Sequence, residues 1–323
     1  MTKELKNENI EVAASVESNP KSDECTPQQE ENATLQQTTE TPTLHLSKQS
    51  LKWVDIVVVV MLFFLSQIVG GAITSAIGIR LPGEAYTTSF DADVLELADA
   101  MQSRFVAISF IFSMALCFIC LAVYKWVRHL PRIVKFHTSL WSFPVRLLIG
   151  YCLMWAVSIT VEPIASLLPG DQEVLGGGGW LLFSAVILAP IFEETIFRGY
   201  VAGIARSLYG GLAAWLISAL LFGVAHLIPS VIVSATACGL VLGFYYLRFR
   251  SLLMVIILHA MNNLTACFLR AIDMEDLTLR SAIDSDIAYW GIYLLCLIIT
   301  IASFMRMARV MARTKSDKST NNM

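Results

Sequence analysis

Two adjacent carboxylates and an arginine interrupt a long apolar segment of this chain. The stretch APIFEETIFRGYVAG contains Glu193, Glu194 and Arg198, and the apolar residues around it extend over about 179–207. An ionisable side chain inside a membrane span costs about 2.5–3.5 kcal/mol on insertion scales. Such residues normally face the interior of a helix bundle and indicate a functional site. Their spacing decides what chemistry they could perform together.

Helical spacing separates the two carboxylates. Glu194 and Arg198 are four residues apart, so they share one face of a helix and can form an ion pair. Glu193 lies about 100° further round the helix, and no counterion stands near it in the sequence. An unpaired carboxylate in a dry site suits the role of general base. The alternative for Glu194 and Arg198 is a pair that only holds a helix bundle together.

Two further pairs repeat the four-residue spacing. Phe222 and His226 place an aromatic ring beside an imidazole in one apolar segment. His259 and Asn263 lie in another and can act together on one point. Taken alone, the second pair could equally be an interhelical hydrogen-bond pair worth about 1 kcal/mol. The occurrence of all these residues in one chain with few other polar groups in its apolar segments favours a site.

The composition places these residues in a membrane protein. Of 323 residues, 56% are apolar and 15% are charged, and the mean hydropathy is +0.63. A soluble domain has about 25% charged residues. In lipid, a helix satisfies every backbone polar group within its own segment. The expected fold is therefore an all-α, polytopic transmembrane helix bundle.

About eight apolar segments are long enough to cross the roughly 30 Å hydrocarbon core of a bilayer. Residues 1–50 are polar and acidic, which predicts a disordered cytoplasmic tail. The bundle is expected over residues 51–310, and residues 311–323 are expected to form a basic cytoplasmic tail. The predicted spans cover about 53–78, 104–126, 145–168, 179–207, 211–228, 231–248, 251–270 and 287–306.

The charges of the connecting segments alternate along the chain. Basic residues precede the first span and recur after the second, fourth, sixth and eighth. The segments after the first span and before the eighth are acidic. Loops rich in lysine and arginine stay on the cytoplasmic side. The alternation predicts a multi-pass protein of an inner or plasma membrane with both termini in the cytoplasm.

Three ordered motifs collect the unusual polar residues. They are EETIFR at 193–198, FGVAH at 222–226 and HAMNN at 259–263, which fit EExxxR, FxxxH and HxxxN. This pattern resembles the CPBP family of CAAX prenyl proteases and bacteriocin-processing (Abi) membrane proteins, whose eukaryotic members include the Ras-converting enzyme. The resemblance covers about residues 179–270, and the order of the three motifs makes it specific.

The resemblance implies an intramembrane, glutamate-dependent endopeptidase that hydrolyses a peptide bond of a membrane-associated protein or peptide. Glu193 would be the catalytic carboxylate and would activate a water molecule together with His226. His259 and Asn263 would form the oxyanion hole, which requires hydrogen-bond donors. The supporting residues would be Glu194, Arg198 and Phe222.

The cofactor and the function each have alternatives. Two histidines and a glutamate could bind zinc, through Glu193, His226 and His259. The sequence contains no HExxH motif, and the four catalytic positions have roles without a metal, so no cofactor is expected. Two other functional classes are possible for the same residues. One is a non-catalytic immunity or scaffold protein on the same fold, and the other is a transporter. The expected partners are the substrate and the lipid bilayer, with no nucleic acid.

The predicted spans place two of these residues at different depths. If the fifth span begins near Gly211, His226 lies about 15 residues into it, a rise of roughly 22 Å. His259 lies about eight residues into the seventh span, a rise of roughly 12 Å from the same side. Convergence on one water molecule then requires helix tilt, unequal helix ends or a different boundary.

Overall fold

The fold is described from a computed structural model over residues 51–83, 91–129, 143–169, 178–272, 274 and 278–313. The predicted N-terminal tail and residues 314–323 of the predicted C-terminal tail lie outside these ranges. Every regular element in the described part of the chain is helical. The predicted all-α fold is therefore confirmed.

Nine helices follow one another along the described residues. They are α1 (Trp53–Ala76), α2 (Ala92–Val127), α3 (Phe143–Ala165), α4 (Gly178–Tyr209), α5 (Gly211–Val224), α6 (Pro229–Phe249), α7 (Leu252–Ala271), α8 (Leu279–Ala282) and α9 (Asp286–Arg313). Seven of them, all except α5 and α8, are long and apolar enough to cross a membrane. The chain is a multi-pass membrane protein.

Two predicted spans are parts of longer helices. α2 has 36 residues and begins at Ala92 rather than near residue 104. The side chain of Asp91 caps it by accepting a hydrogen bond of 3.0 Å from the backbone N–H of Asp93. Acidic residues that the sequence predicts to lie in a loop therefore lie in the first turns of α2, where the helix dipole stabilises negative charge. α9 continues to Arg313, so residues 311–313 are helical rather than part of a tail.

The fifth span is shorter than predicted. α5 has 14 residues, which corresponds to about 21 Å, and it ends four residues before the predicted boundary. The reason is Pro229, which opens α6. A residue that precedes proline is driven to extended backbone angles, and Ile228 has φ −86° and ψ 122°. A helix therefore cannot continue through residues 225–228.

Small residues bring α5 and α6 together in antiparallel orientation. A Cβ added to Gly239 would lie 3.3 Å from the Cα of Ala219, so these two backbones are in close contact. One turn earlier on α5, the indole Nε1 of Trp215 donates a hydrogen bond of 2.6 Å to the carbonyl of Leu240. Small residues at an interface let membrane helices approach closely. This contact sets the position of the second motif relative to α6.

α4 lies between α1 and α5. The ring of Phe197 meets the ring of Phe63 from α1 edge to face at 5.4 Å and the ring of Phe222 from α5 at 5.5 Å. The hydroxyl of Ser218, which is fully buried, donates a hydrogen bond of 2.9 Å to the carbonyl of Phe197. The helix that carries the two glutamates is therefore held from both sides.

Substitution of Gly223 by alanine should loosen the contact between α5 and α6. A Cβ at this position would overlap Thr236 Oγ1 and lie 2.8 Å from the backbone oxygen of Ile232. The threonine can rotate but the backbone cannot, so we expect the free energy of unfolding to fall by about 1–3 kcal/mol. Thermal unfolding in detergent measures the effect. Gly71→Ala is the control, because nothing lies within 4 Å of its added Cβ; equal melting temperatures for the two variants would contradict the steric argument.

Candidate active site

The helix that carries the first motif changes its winding around the two glutamates. The turns Phe183–Leu188 and Thr195–Val201 of α4 are π-helical, and they enclose the α-helical stretch Ala189–Glu194. π-helical turns are rare and occur frequently at functional sites. Glu193 and Glu194 lie immediately before the second of these turns. The sequence contains no glycine or proline between residues 191 and 198 that would have predicted this change.

The ion pair predicted from the four-residue spacing is present. Arg198 Nε lies 3.1 Å from Glu194 Oε2, and both side chains are completely buried. The N–H of Nε is not aligned with this oxygen, so the contact is an ion pair without hydrogen-bond geometry. Two buried charges require mutual compensation. The ion pair therefore explains how α4 can hold two charged side chains inside the bundle.

Arg198 also connects α4 to the two helices that follow. Its Nη2 donates a hydrogen bond of 3.3 Å to the carbonyl of Gly239 on α6. Its guanidinium carbon lies 4.2 Å from the centroid of the Phe222 ring on α5. A cation over an aromatic face is stabilised most when both are removed from water. Arg198 thus bonds or contacts groups on three helices.

Phe222 is the common neighbour of the three motifs. Its ring meets that of His226 at a centroid distance of 5.0 Å and that of His259 at 5.6 Å, both nearly edge to face. It also carries the guanidinium of Arg198 on its face. The phenylalanine of FxxxH therefore contacts both imidazoles and the arginine of the buried ion pair.

His259 lies between the two carboxylates of the first motif. Its Nδ1 is 2.9 Å from Glu194 Oε1, and its Nε2 is 4.0 Å from Glu193 Oε2. A carboxylate accepts, so Nδ1 donates to Glu194 and this bond fixes the orientation of the ring. The Glu194 side chain is completely buried, whereas that of Glu193 is 15% exposed. Of the two adjacent carboxylates, Glu193 is the one that a water molecule or substrate can reach.

His226 lies in a strained turn between α5 and α6. The backbone N–H of Ile228 donates a hydrogen bond of 2.8 Å to the carbonyl of His226, and the residue between them, Leu227, has φ +63°. A non-glycine residue with positive φ is uncommon, and such strain clusters at functional sites. The imidazole Nδ1 lies 2.9 Å from the carbonyl of Phe222. Because a carbonyl only accepts, Nδ1 is the donor, and Nε2 is the nitrogen available for chemistry.

The turn also removes the predicted difference in depth. His226 lies beyond the end of α5 and is hydrogen-bonded back to Phe222, one turn earlier. Phe222 in turn contacts the ring of His259. The two histidines therefore both contact one ring although their backbones start at different heights. The predicted depths assumed a helix that continues to residue 228, and the structure corrects this assumption.

Asn263 is tied to the first π-helical turn. Its Nδ2 donates a hydrogen bond of 2.8 Å to the carbonyl of Ala185, whereas His259 contacts the glutamates. The two members of HxxxN thus share a face of α7 and have different partners on α4. An amide nitrogen carries two hydrogens, so the bond to Ala185 orients the group and leaves one hydrogen for a further acceptor.

Two backbone carbonyls belong to the site although side-chain motifs do not reveal them. Ala185 accepts from Asn263, and Gly239 accepts from Arg198. The space at this glycine is tight, because a Cβ there would lie 3.1 Å from Phe222 Cδ1 and 3.3 Å from the backbone of Ala219. The only sequence signal for either is Gly239 itself, which occurs in a segment of small residues, SATACG.

The three residues of the zinc alternative are not gathered into a metal-binding cluster in the described residues. Within the part of the chain that the structure describes, no group of three or more histidine, cysteine, aspartate or glutamate side chains is arranged to hold a metal ion. The zinc alternative would use Glu193, His226 and His259. Nδ1 of each of these histidines is hydrogen-bonded, to the Phe222 carbonyl and to Glu194, so Nε2 is the nitrogen that could face a metal ion or a water molecule. The catalytic roles proposed below use no metal.

Comparison with known proteins gives one match. Residues 176–265 match the Rce1-like family, described as type II CAAX prenyl endopeptidase. No curated protein and no solved structure matches this chain. The matched segment contains all three motifs and supports a CAAX-type intramembrane protease acting at a lipid bilayer on a membrane-associated substrate. The resemblance found in the motifs is confirmed: residues 176–265 of this multi-pass membrane protein match the Rce1-like type of CAAX protease family.

Proposed function

We propose that this protein is a glutamate-dependent endopeptidase that hydrolyses a peptide bond within the membrane, with Glu193 as its catalytic carboxylate. The observation that carries the proposal is the different environment of the two adjacent glutamates. Glu194 is completely buried and contacts both Arg198 and His259. Glu193 is partly exposed and faces His259 Nε2 at 4.0 Å. Only Glu193 has an oxygen in a position to accept a proton from an incoming water molecule.

The proposed reaction begins with a water molecule next to Glu193. Two atoms 4.0 Å apart can both lie within hydrogen-bond distance of one water oxygen. Glu193 accepts a proton as the water oxygen bonds to the scissile carbonyl carbon. The C–N bond then breaks, and the proton passes from Glu193 to the leaving amine. The products are a new carboxyl terminus and a new amino terminus.

The remaining motif residues have supporting roles in this proposal. His226 is oriented by the Phe222 carbonyl with Nε2 available to accept from the water. His259, with hydrogens on both ring nitrogens, and Asn263 donate to the oxygen that becomes negatively charged, and each is oriented by a second bond, to Glu194 and to Ala185. Preorganised donors of this kind contribute about 10²–10³ in rate. Glu194, Arg198 and Phe222 position these groups without contacting the reacting atoms.

The proposal includes a topology and a substrate class. The chain reverses direction between α5 and α6, so in this proposal α5 crosses the membrane although it is short. With the basic segments inside, both termini lie in the cytoplasm of a cell with this protein in its inner or plasma membrane. The substrate is a membrane-associated peptide or protein whose scissile bond reaches α4 and α7 from the bilayer.

Cleavage of defined membrane peptides tests the proposal. We expect the full-length protein in detergent or proteoliposomes to cleave members of a membrane-peptide library, prenylated and non-prenylated, at single bonds identified by mass spectrometry. Activity should be unchanged by a zinc chelator, because no assigned role needs a metal. Loss of cleavage on chelation and its recovery on addition of zinc would overturn the metal-free mechanism. A folded protein that cleaves no member of either set would contradict the enzymatic assignment.

A further inference from the structure

A groove runs along the outer surface where α1 and α2 pack together, away from the candidate active site. Its volume is about 380 Å³, and its walls are almost entirely apolar. Val58 and Leu62 line it from α1, and Ile119, Val123 and Val127 line it from α2. The stretch from 119 to 127 rises about 12 Å along the helix. The groove therefore has the polarity to accept a hydrocarbon chain rather than a polar ligand.

One end of the groove is polar and built around a buried carboxylate. Asp55 is completely buried, and it accepts hydrogen bonds from the Tyr124 hydroxyl at 2.5 Å, from Arg128 Nη2 at 3.2 Å and from the Lys52 backbone N–H at 2.6 Å. Tyr124 also lines the groove. Arg128 is 23% exposed. Asp55 therefore holds an arginine at the mouth of an apolar groove.

The charge at this end is positive and at the level of the membrane interface. The segments 51–58 and 119–129 contain Lys52, Lys125 and Arg128 against the single acid Asp55. Two tryptophans in the same segments, Trp53 and Trp126, are 62% and 75% exposed. Exposed tryptophans anchor membrane helices at the headgroup region. An apolar groove that ends in a basic cluster at this level matches a lipid with an anionic headgroup.

We propose that the α1–α2 groove is a binding site for one anionic phospholipid. An acyl chain lies between Val58 and Val123, and the phosphate lies at Lys52, Lys125 and Arg128. Each basic residue near an anionic lipid contributes about a fivefold factor in binding. The site is separate from the three motifs, so it does not depend on the proposed peptidase function.

Native mass spectrometry of the full-length protein tests the site. Detergent-solubilised protein is titrated with palmitoyl-oleoyl phosphatidylglycerol and with the corresponding phosphatidylcholine. We expect one phosphatidylglycerol molecule to be retained in preference to phosphatidylcholine. Lys52→Gln combined with Lys125→Gln should weaken phosphatidylglycerol binding about 25-fold, and Val123→Trp, which fills the groove, should weaken the binding of both lipids. Asp55 and Arg128 stay unchanged, because their substitution would disturb folding.

A matched control and two competitors keep the proposal falsifiable. Arg306→Gln combined with Arg309→Gln removes the same charge from exposed positions of α9 and should leave lipid retention unchanged. An equal loss in both double variants would show a general charge effect and overturn the site. Displacement of the lipid by inorganic phosphate alone would assign the cluster to a free anion. Displacement by an isoprenoid alcohol would assign the groove to a prenyl chain. Either result would overturn the assignment to a phospholipid.

Discussion

Glu193→Gln should abolish measurable cleavage while leaving the fold intact. Glutamine keeps the volume and hydrogen-bonding capacity of the side chain but cannot accept a proton, so the general-base contribution of about 10²–10⁴ in rate is lost. The Glu193 side chain is 15% exposed and has no ion pair with arginine among the described residues. Its neutralisation therefore leaves no buried cation uncompensated. The measurement is the initial rate of product formation for a peptide that the wild type cleaves, at saturating substrate.

A second glutamate on another helix provides the control for this prediction. Glu162 lies on α3, is half-buried and belongs to none of the three motifs. Glu162→Gln makes the same chemical change within the membrane-spanning bundle, and its cleavage rate should equal that of the wild type. The thermal unfolding temperatures of both variants should match the wild type. A folded Glu193→Gln protein that still cleaves at the wild-type rate would exclude Glu193 as the catalytic carboxylate.

Arg198→Met should produce the largest loss of stability among single substitutions at the site. Arg198 and Glu194 are completely buried and 3.1 Å apart. Removing the arginine leaves Glu194 as a buried charge without its main counterion, which costs about 3–5 kcal/mol. The hydrogen bond to the Gly239 carbonyl and the contact with the Phe222 ring are lost in addition. Denaturant or thermal unfolding in detergent measures the decrease.

A double substitution separates charge compensation from catalysis. Glu194→Gln combined with Arg198→Met removes both charges, and replacing both members of a buried pair is often close to neutral for stability. We expect the double variant to recover much of the unfolding free energy but not the activity, because Glu194 also orients His259 through Nδ1. Recovery of full activity in the double variant would show that the pair is needed only for folding.

An arginine on the same helix provides the matched control for the stability measurement. Arg206 is partly buried, and its Nη1 donates a single hydrogen bond of 3.0 Å to the Leu247 carbonyl. Arg206→Met should therefore cost only about 1–3 kcal/mol, the value for a hydrogen bond to a charged group. Equal decreases in the free energy of unfolding for Arg206→Met and Arg198→Met would contradict a special contribution of the buried ion pair to stability.

Contacts within one helix could be predicted from spacing alone. The Glu194–Arg198 ion pair follows from the four-residue repeat within α4 and is present. The predicted packing of Phe222 against His226 is also present, although His226 lies two residues beyond the end of α5. The all-α fold and the long apolar helices follow from hydropathy in the same way. These features depend on the geometry of a single segment, which a linear sequence contains in full.

Contacts between helices could not be predicted in this way. The sequence pairs His259 with Asn263, but in the structure His259 contacts the two glutamates and Asn263 bonds to the Ala185 carbonyl. The choice depends on how α7 is rotated against α4. The π-helical turns of α4 determine which groups it presents there. Pro190 follows the first turn and Gly199 lies within the second, but neither residue type indicates how α7 is rotated against α4.

By itself, the sequence determined the membrane-embedded helical fold, the three motifs and the family that residues 176–265 match. Only the tertiary structure decided which of two identical, adjacent side chains is buried and which is accessible. Glu193 and Glu194 have the same intrinsic chemistry, and helical spacing pairs only one of them with Arg198. Their separate environments arise because α5, α6 and α7 place Phe222, Gly239 and His259 around α4. That placement is a property of packing in three dimensions.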